Sequence, residues 1–216
     1  MTSSSLRITE IFHSLQGESR TMGLPTVFVR LTGCPLRCQY CDTAYAFEGG
    51  QQTSIDAIVQ EVAKYRSKYV TVTGGEPLAQ PNCIELLSAL SDEGYQVSLE
   101  TSGSLGIAGI DPRVSIVLDL KTPGSDECDR NKMSNIALLK KSDQVKFVIC
   151  NHNDYLWSKA KVDELDLRNR VDEILFSPSH EELKPEQLAH WVLEDSLQVR
   201  VQIQLHKYLW GTEQGR

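Results

Sequence analysis

Short apolar segments typical of β-strands alternate with segments of helical periodicity along almost the whole chain, which sharply limits the possible folds. The predicted strands occupy residues 26–32, 69–73, 95–101, 114–120, 144–150, 173–177 and 198–205. Helical spacing of apolar residues predicts helices over residues 55–63, 84–90, 135–141, 154–167 and 185–194. Regular alternation of this kind is typical of a parallel sheet covered by helices.

Chain length narrows the choice among parallel-sheet folds. A closed eight-fold β/α barrel usually takes about 250 residues, and this chain has 216. One crossover, residues 103–112, also lacks a helical pattern. We therefore predict one domain over residues 1–216 with an α/β fold, a partial and open β/α barrel. A doubly wound sheet is the alternative, because periodicity does not distinguish the two.

Composition argues against two classes of partner. The formal charge is −7, and the lysines and arginines are scattered without a basic stripe, so we expect no nucleic-acid partner. No apolar run approaches the length needed to cross a bilayer, so we expect no membrane partner. The first five residues lack the charged start and apolar stretch of a signal peptide. These features predict a cytoplasmic protein.

Three of the six cysteines form a cluster directly after the first predicted parallel strand. Cys34, Cys38 and Cys41 have the spacing C-x3-C-x2-C, whereas the other three cysteines are scattered and fit buried apolar positions. Three thiolates can ligate three irons of a cubane and leave the fourth iron open for a ligand. A structural zinc site is the alternative, but zinc normally takes four ligands and this loop contains no further Cys and no His.

Polar and glycine residues follow the next predicted strands. Gly74, Gly75 and Glu76 end the second strand, and such a glycine pair allows close approach of a ligand to the backbone. Ser102 follows the third strand, and the segment from Asp119 to Lys121 ends the fourth. Catalytic groups gather at the carboxyl ends of parallel strands. For the glycine motif the alternative is an ordinary turn, and for Ser102 and the segment from Asp119 to Lys121 it is capping or core hydrogen bonding.

The cysteine spacing, with aromatic Tyr40 before the last cysteine and the Gly-Gly-Glu-Pro motif after the second strand, resembles the radical S-adenosylmethionine superfamily. The resemblance implies a [4Fe–4S] cluster on Cys34, Cys38 and Cys41. It also implies that S-adenosylmethionine binds the open iron and is cleaved to a 5′-deoxyadenosyl radical. Residues that we expect to contact this cofactor are Tyr40, Gly74, Gly75, Glu76, Ser102, Asp119 and Lys121.

Motifs spread over the chain are similar to those of one family within that superfamily, the 7-carboxy-7-deazaguanine synthases. They are Phe12-His-Ser-Leu-Gln-Gly-Glu18, Phe28-Val-Arg-Leu-Thr-Gly-Cys34, Asp42-Thr43 and Gln204-Leu-His-Lys-Tyr-Leu-Trp210. The resemblance implies ring contraction of 6-carboxy-5,6,7,8-tetrahydropterin to 7-carboxy-7-deazaguanine with loss of ammonia, a step of queuosine and deazapurine biosynthesis. It implies Mg²⁺ on Thr43 and substrate contacts at Leu15, Gln16, Gly17, Arg30 and Thr73.

The resemblance also implies a homodimer and a flavodoxin-type reductant. Two alternatives for the function are open: an activating enzyme that generates a glycyl radical on another protein, and an iron–sulfur sensor or electron carrier without radical chemistry. His206 and Lys207 either contact the substrate or cap the last strand. For Arg30 and Thr43, the alternatives are an exposed strand residue and a turn former.

Overall fold

The computed structural model describes residues 4–216. Its strands are β1 (Ser5–Leu15), β2 (Pro25–Leu31), β3 (Gln51–Ser54), β4 (Tyr69–Gly74), β5 (Gln96–Thr101), β6 (Ser115–Asp119), β7 (Gln144–Ile149), β8 (Glu173–Pro178) and β9 (Arg200–Val201). Its α-helices are α1 (Ile55–Ala63), α2 (Cys83–Asp92), α3 (His152–Glu164), α4 (Leu167–Arg170), α5 (Pro185–Glu194) and α6 (Leu205–Trp210).

All nine strands of the described chain form one sheet in the order β3-β1-β2-β4-β5-β6-β7-β8-β9. The parallel strands lie side by side in chain order, as β2, β4, β5, β6, β7, β8 and β9, with no reversal. The antiparallel strand β3 lies at the opposite edge of the sheet from β9. A doubly wound sheet reverses its strand order at a switch point, so that alternative is wrong. Because β9 pairs only with β8 among the described residues, the predicted open β/α barrel is confirmed.

The two strands that the sequence prediction missed are the antiparallel ones. β1 pairs with β2 on one side and with β3 on the other. Leu6 and Ile8 are buried and alternate with the more exposed Arg7 and Thr9, a period-two pattern that marks β1. β3 consists of polar residues, and no apolar pattern announces it.

The parallel strands carry apolar side chains on their outer face and both polar and apolar side chains on their inner face. The apolar side chains pack under the helices in two core clusters, which contain Val27, Val29, Leu31, Val70, Val72, Leu99, Leu118, Val145 and Phe147. The residues between them face the barrel interior, and the polar ones that line its cavity are Arg30, Thr73, Glu100, Asp119 and Lys146. A strand period of two therefore separates a hydrophobic core from a polar interior.

The crossovers agree with the predictions in most places. Ser54 caps α1, because its Oγ accepts the Ala57 N–H at 3.2 Å. Residues 103–112 form the predicted loop without a helix. The described residues contain no helix that is long and apolar enough to span a membrane.

Two predicted elements are wrong. The helix expected over residues 135–141 is a short 3-10 segment, Met133–Leu138, because buried Asn135 donates its side-chain amide to the carbonyls of Gly103 and Leu105. The last strand contains two residues instead of residues 198–205. Beyond it the chain turns towards the loop after β1, where the Leu205 N–H donates to the Gly17 carbonyl at 3.0 Å and α6 begins.

Candidate active site

A cavity of about 520 Å³ opens at the carboxyl ends of the parallel strands. It is lined by all of the predicted site residues except Glu76. Its walls are the loops after β1, β2 and β8, the ends of β4 to β7, and α6 with the residues that follow it. The fold therefore brings predicted site residues that span 106 positions of the chain, from Leu15 to Lys121, to one place.

The three clustered cysteines lie on the loop that leaves β2 and share the cavity. Cys34 and Cys38 are partly buried and Cys41 is exposed. Burial raises the pKa of Cys38 to about 11, so its thiolate needs a compensating positive charge. In residues 4–216 no three His, Cys, Asp or Glu side chains are close enough to share a single metal ion. In an iron–sulfur cubane the three thiolates need not meet at one metal ion, since each ligates a separate iron.

The glycine pair at the end of β4 packs directly against the start of this cysteine loop. A Cβ on Gly75 would lie 2.2 Å from the Gly33 carbonyl oxygen and 2.8 Å from the Cys34 Cβ. A Cβ on Gly74 would lie 2.2 Å from the Leu31 carbonyl oxygen. Backbone bonds from Gly75 N to Leu31 O and from Glu76 N to Gly33 O hold the two segments together. Glycine is therefore required here for contact with the cysteine loop.

Glu76 lies behind the cavity wall. Its carboxylate is fully buried and accepts hydrogen bonds from the Leu78 N–H, the Thr101 hydroxyl, and both the N–H and the hydroxyl of Ser102. These four donors occupy both carboxylate oxygens. Glu76 thus ties the turn after β4 to the end of β5, and its predicted cofactor contact stays a prediction.

The end of β6 and the cysteine loop each supply a buried polar atom that lacks a hydrogen-bond partner among the described residues. Lys121 pairs with Asp119 at 3.0 Å and lies 5.7 Å from the centre of the Tyr40 ring. In the described part of the chain, the Tyr40 hydroxyl and Asp119 Oδ1 are buried without a hydrogen-bond partner, although both residues line the cavity. Unpaired buried polar atoms are costly, so this side of the cavity fits a polar ligand.

Arg30 lines the cavity, with 15% of its side chain exposed, so the alternative of an exposed strand residue is wrong. Its Nε donates to Glu10 Oε1 at 2.7 Å, and its guanidinium lies 5.7 Å from the ring centres of Phe12 and Tyr45. The Tyr45 hydroxyl donates to the same Glu10 oxygen at 2.8 Å. Burial raises the pKa of Tyr45 to about 12, which keeps this donor protonated. The two terminal nitrogens of Arg30 have no acceptor among the described residues.

The Leu15–Gly17 segment lines the cavity, but the Gln16 amide already has protein partners. Gln16 Nε2 donates to the Thr71 hydroxyl at 3.1 Å and to Glu100 Oε1 at 3.3 Å, and Gln16 Oε1 accepts the Glu18 N–H. Gly17 is covered by α6, because a Cβ there would lie 2.0 Å from His206 Nδ1. His206 therefore packs on Gly17 beside the cavity instead of capping a strand.

Thr43 lies at the exit of the cysteine loop, beside the ion pair between Asp42 and Lys207. Its hydroxyl donates to Asp42 Oδ1 at 2.8 Å, and Lys207 Nζ lies 2.9 Å from Asp42 Oδ2. Burial alone would raise the pKa of Asp42, but the Lys207 ammonium holds it well below its usual range. Because the Thr43 proton points to Asp42, the hydroxyl lone pairs remain available to a ligand. Lys207 thus joins α6 to the cysteine loop.

Three charged residues on the floor of the cavity were missed by the sequence analysis. Glu18 pairs with Lys146 at 2.8 Å, and Glu100 lies near the carboxyl end of β5 and lines the cavity. Burial would lower the pKa of Lys146, but Glu18 and Asp119 raise it above its ordinary value. The sequence did contain a signal for such residues, namely a charged residue between apolar ones within a predicted strand. Lys146, between Val145 and Phe147 in β7, is an example.

The sequence and the fold match known proteins. A model of the Radical SAM superfamily matches residues 28–116. The 7-carboxy-7-deazaguanine synthase of Chlorobaculum tepidum is 43% identical over 98% of this chain and 97% of its own length. That of Koribacter versatilis is 40% identical over 96% of this chain and 98% of its own. The crystal structure of QueE from Escherichia coli superposes with a TM-score of 0.72 at 22% identity, over 93% of this chain and 94% of that one.

The packing of Gly75 yields a first prediction. Gly75→Ala should markedly reduce iron bound after anaerobic reconstitution, because the new Cβ displaces the backbone of the cysteine loop. Gly106→Ala is the matched control, since its Cβ would meet only the end of Lys132 at 3.7 Å. Iron and sulfide analysis with visible absorbance measures the loading. Equal loading of the two variants would contradict the packing argument.

Proposed function

Because this chain belongs to the 7-carboxy-7-deazaguanine synthase family of radical S-adenosylmethionine enzymes, we propose that it converts 6-carboxy-5,6,7,8-tetrahydropterin to 7-carboxy-7-deazaguanine with loss of ammonia. The reaction belongs to deazapurine and queuosine biosynthesis. One observation carries the assignment to this site: a single cavity has three cysteine thiols on one wall and an arginine with two free terminal nitrogens on another.

The family implies a [4Fe–4S] cluster and S-adenosylmethionine. Cys34, Cys38 and Cys41 would hold the cluster, and together the two groups supply a 5′-deoxyadenosyl radical that removes hydrogen from the substrate. Gly74 and Gly75 line the cavity beside the cysteine loop and are assigned to the methionine part, while the unpartnered Tyr40 hydroxyl and Asp119 Oδ1 offer hydrogen bonds to a polar ligand. We assign cofactor contacts also to Ser102 and Lys121, which line the same wall.

Arg30 is the residue that we assign to the substrate carboxylate. Glu10 occupies its Nε, and the rings of Phe12 and Tyr45 flank the guanidinium. These contacts fix the orientation of the side chain and leave the edge formed by its two terminal nitrogens open to the cavity. That edge has the geometry for two parallel hydrogen bonds to a carboxylate.

Thr43 is our proposed magnesium ligand. Its hydroxyl oxygen can donate lone pairs because its proton is held by Asp42. One neutral oxygen does not hold Mg²⁺ by itself, so substrate oxygens and water would complete the octahedral shell. The ion would thereby hold the substrate carboxylate near the exit of the cysteine loop.

The pterin ring is assigned to the floor and the loop after β1. The backbone of Leu15 and Gly17 and the hydroxyl of Thr73 line this region. Gln16 lines it too, but its amide is bonded to Thr71 and Glu100. We therefore assign Gln16 the task of positioning the floor, with substrate contact limited to the part of its amide that faces the cavity.

The remaining proposals concern the enzyme as a whole. A single domain is supported by one sheet that runs from Ser5 to Val201. A homodimer is supported by the exposed apolar side chains Tyr208 and Leu209 of α6. A cytoplasmic location is supported by six free cysteines, which suit a reducing compartment. A flavodoxin-type protein would supply the single electron that the chemistry requires.

Anaerobic turnover tests the proposed reaction. Reconstituted protein with the carboxypterin, S-adenosylmethionine and dithionite should yield 7-carboxy-7-deazaguanine by mass spectrometry. Cys38→Ala should abolish the product, because one iron loses its protein ligand. Cys128→Ala is the control and should retain it, since Cys128 lies outside the cysteine loop. A fully loaded and active Cys38→Ala protein would refute the cluster assignment.

The role of Arg30 is tested by its substrate affinity. Arg30→Ala should raise the KM for the carboxypterin by roughly 10- to 100-fold, since a lost charge-assisted pair costs about 1.5–3 kcal/mol. Arg66→Ala, which removes an exposed arginine outside the cavity, controls for net charge. Steady-state kinetics measures both variants, with iron content checked in parallel. A wild-type KM in Arg30→Ala would place the carboxylate elsewhere.

Magnesium dependence tests Thr43. Thr43→Val keeps the shape but removes the oxygen, so the Mg²⁺ concentration for half-maximal activity should rise about tenfold, equivalent to about 1.4 kcal/mol. Thr43→Ser keeps the hydroxyl and should stay near the wild type. A magnesium titration of initial rates decides between them. Identical titrations for Val and Ser would mean that the hydroxyl holds no metal.

A further inference from the structure

Four carboxylates with limited exposure surround the floor of the cavity, and one of them differs from the others. Glu76 accepts four hydrogen bonds, Glu18 has Lys146 at 2.8 Å, and Asp119 has Lys121 at 3.0 Å. Glu100 has only two long hydrogen bonds from neutral donors, the Gln16 amide at 3.3 Å and the Thr73 hydroxyl at 3.4 Å. Glu100 is therefore the least stabilised of these carboxylates and lines the cavity.

The surroundings of Glu100 permit both of its protonation states. Burial raises its pKa above the ordinary value for a glutamate, with a further upward contribution from Glu18 on the loop after β1. Lys146 on β7 and Arg30 on β2 act in the opposite direction and keep the ionised form accessible. Gln16 and Thr73 complete its surroundings and do not titrate. A group of this kind can accept a proton and later return it.

The proposed reaction needs such a group after its radical steps. Removing ammonia from the carboxypterin leaves the composition of the product, so the conversion involves no net oxidation. The hydrogen taken by the radical must therefore be returned. In the proposed order it returns before ammonia leaves, so the intermediate is a ring-contracted isomer of the substrate that still carries the amine. Loss of ammonia from this isomer breaks one C–H bond and one C–N bond and forms one ring double bond.

Resting on that proposed function, we propose that Glu100 is the catalytic residue for the elimination of ammonia. Its carboxylate takes the proton from the ring carbon, and the C–H electron pair becomes the new double bond. The C–N pair leaves with the nitrogen, which receives the same proton from Glu100. One proton thus moves from carbon to ammonia and Glu100 ends ionised, so no oxidant, reductant or further reactant is needed.

Glu100→Gln separates this step from the radical chemistry, because it keeps the shape and one of the two accepting oxygens but removes the basic carboxylate. In a single anaerobic turnover, the carboxypterin should still disappear in the presence of S-adenosylmethionine. A species of the substrate mass but different retention should accumulate. Release of ammonia and of 7-carboxy-7-deazaguanine should fall at least about 100-fold, as expected for the loss of a general base.

The pH profile gives an independent readout. Because the base must be ionised, ammonia release by the wild type should fall as pH falls through the raised pKa of Glu100. That acidic limb should be absent in the residual rate of Glu100→Gln and present in Glu100→Asp, which keeps a carboxylate. Glu85→Gln, at an exposed position of α2, is the control and should behave as the wild type.

Other outcomes overturn the proposal. Wild-type product release and pH profile in Glu100→Gln would show that another group carries the proton. A raised KM with unchanged kcat would make Glu100 a binding residue only. Glu100 would also be a binding residue only if Glu100→Gln no longer consumed the substrate while Glu100→Asp released ammonia at a normal rate that did not depend on pH. Failure of the proposed function itself is distinguishable, because then the wild type would form no 7-carboxy-7-deazaguanine.

Discussion

The structure depends on the separation of two faces along seven parallel strands. Outward side chains are aliphatic or aromatic and pack under α1 and α2 in one half and under α3, α4 and α5 in the other. Each fully buried Val or Leu among them contributes about 1.5–3 kcal/mol. This outer core lets the inner face consist of Arg30, Glu100 and Lys146, which would destabilise a sheet that packed on both faces. The interior can therefore be used for chemistry.

Two close contacts through glycine bring the remaining parts of the site to this interior. Gly75 lets the turn after β4 touch the cysteine loop, and Gly17 lets His206 of α6 lie on the loop after β1. The ion pair between Lys207 and Asp42 links α6 to the cysteine loop in turn. The cysteine loop, the strand ends and the C-terminal helix thus form one continuous wall around the cavity. Exclusion of water from a substrate bound there would protect reactive radicals.

Much of the fold could be predicted from the sequence because apolar periodicity records burial. The strands near Val70, Leu99 and Phe147 and the helices near Ile58 and Leu188 each bury one face, and the pattern shows it. Polar β3 and the two-residue β9 lack such a pattern, and their pairing depends on partners distant in the chain. The 3-10 segment at Asn135 is set by side-chain bonds to a loop about 30 residues away, which periodicity does not encode.

For the site, motifs predicted the residues that meet at the cavity but not how they are paired there. Glu10 beneath Arg30 and Lys207 beside Asp42 became visible only with the strand pairing and the path of α6. Glu76 illustrates the converse, since its motif predicts a cofactor contact that stays a prediction, while its carboxylate accepts hydrogen bonds from Thr101 and Ser102. Spacing along the chain indicates which residues are near each other, whereas hydrogen bonding decides which atoms remain free.

The central claim is that one cavity holds the carboxypterin with its carboxylate at Arg30 and the adjacent carbon towards the cysteine loop. The most direct measurement uses substrate with deuterium on the carbon that bears the carboxylate, in an anaerobic single turnover analysed by mass spectrometry. The account predicts that deuterium is transferred to the 5′-deoxyadenosyl group in the wild type. At subsaturating substrate, the Arg30→Ala variant should show no such transfer. Product formed without any transfer of deuterium to the adenosyl group would contradict it.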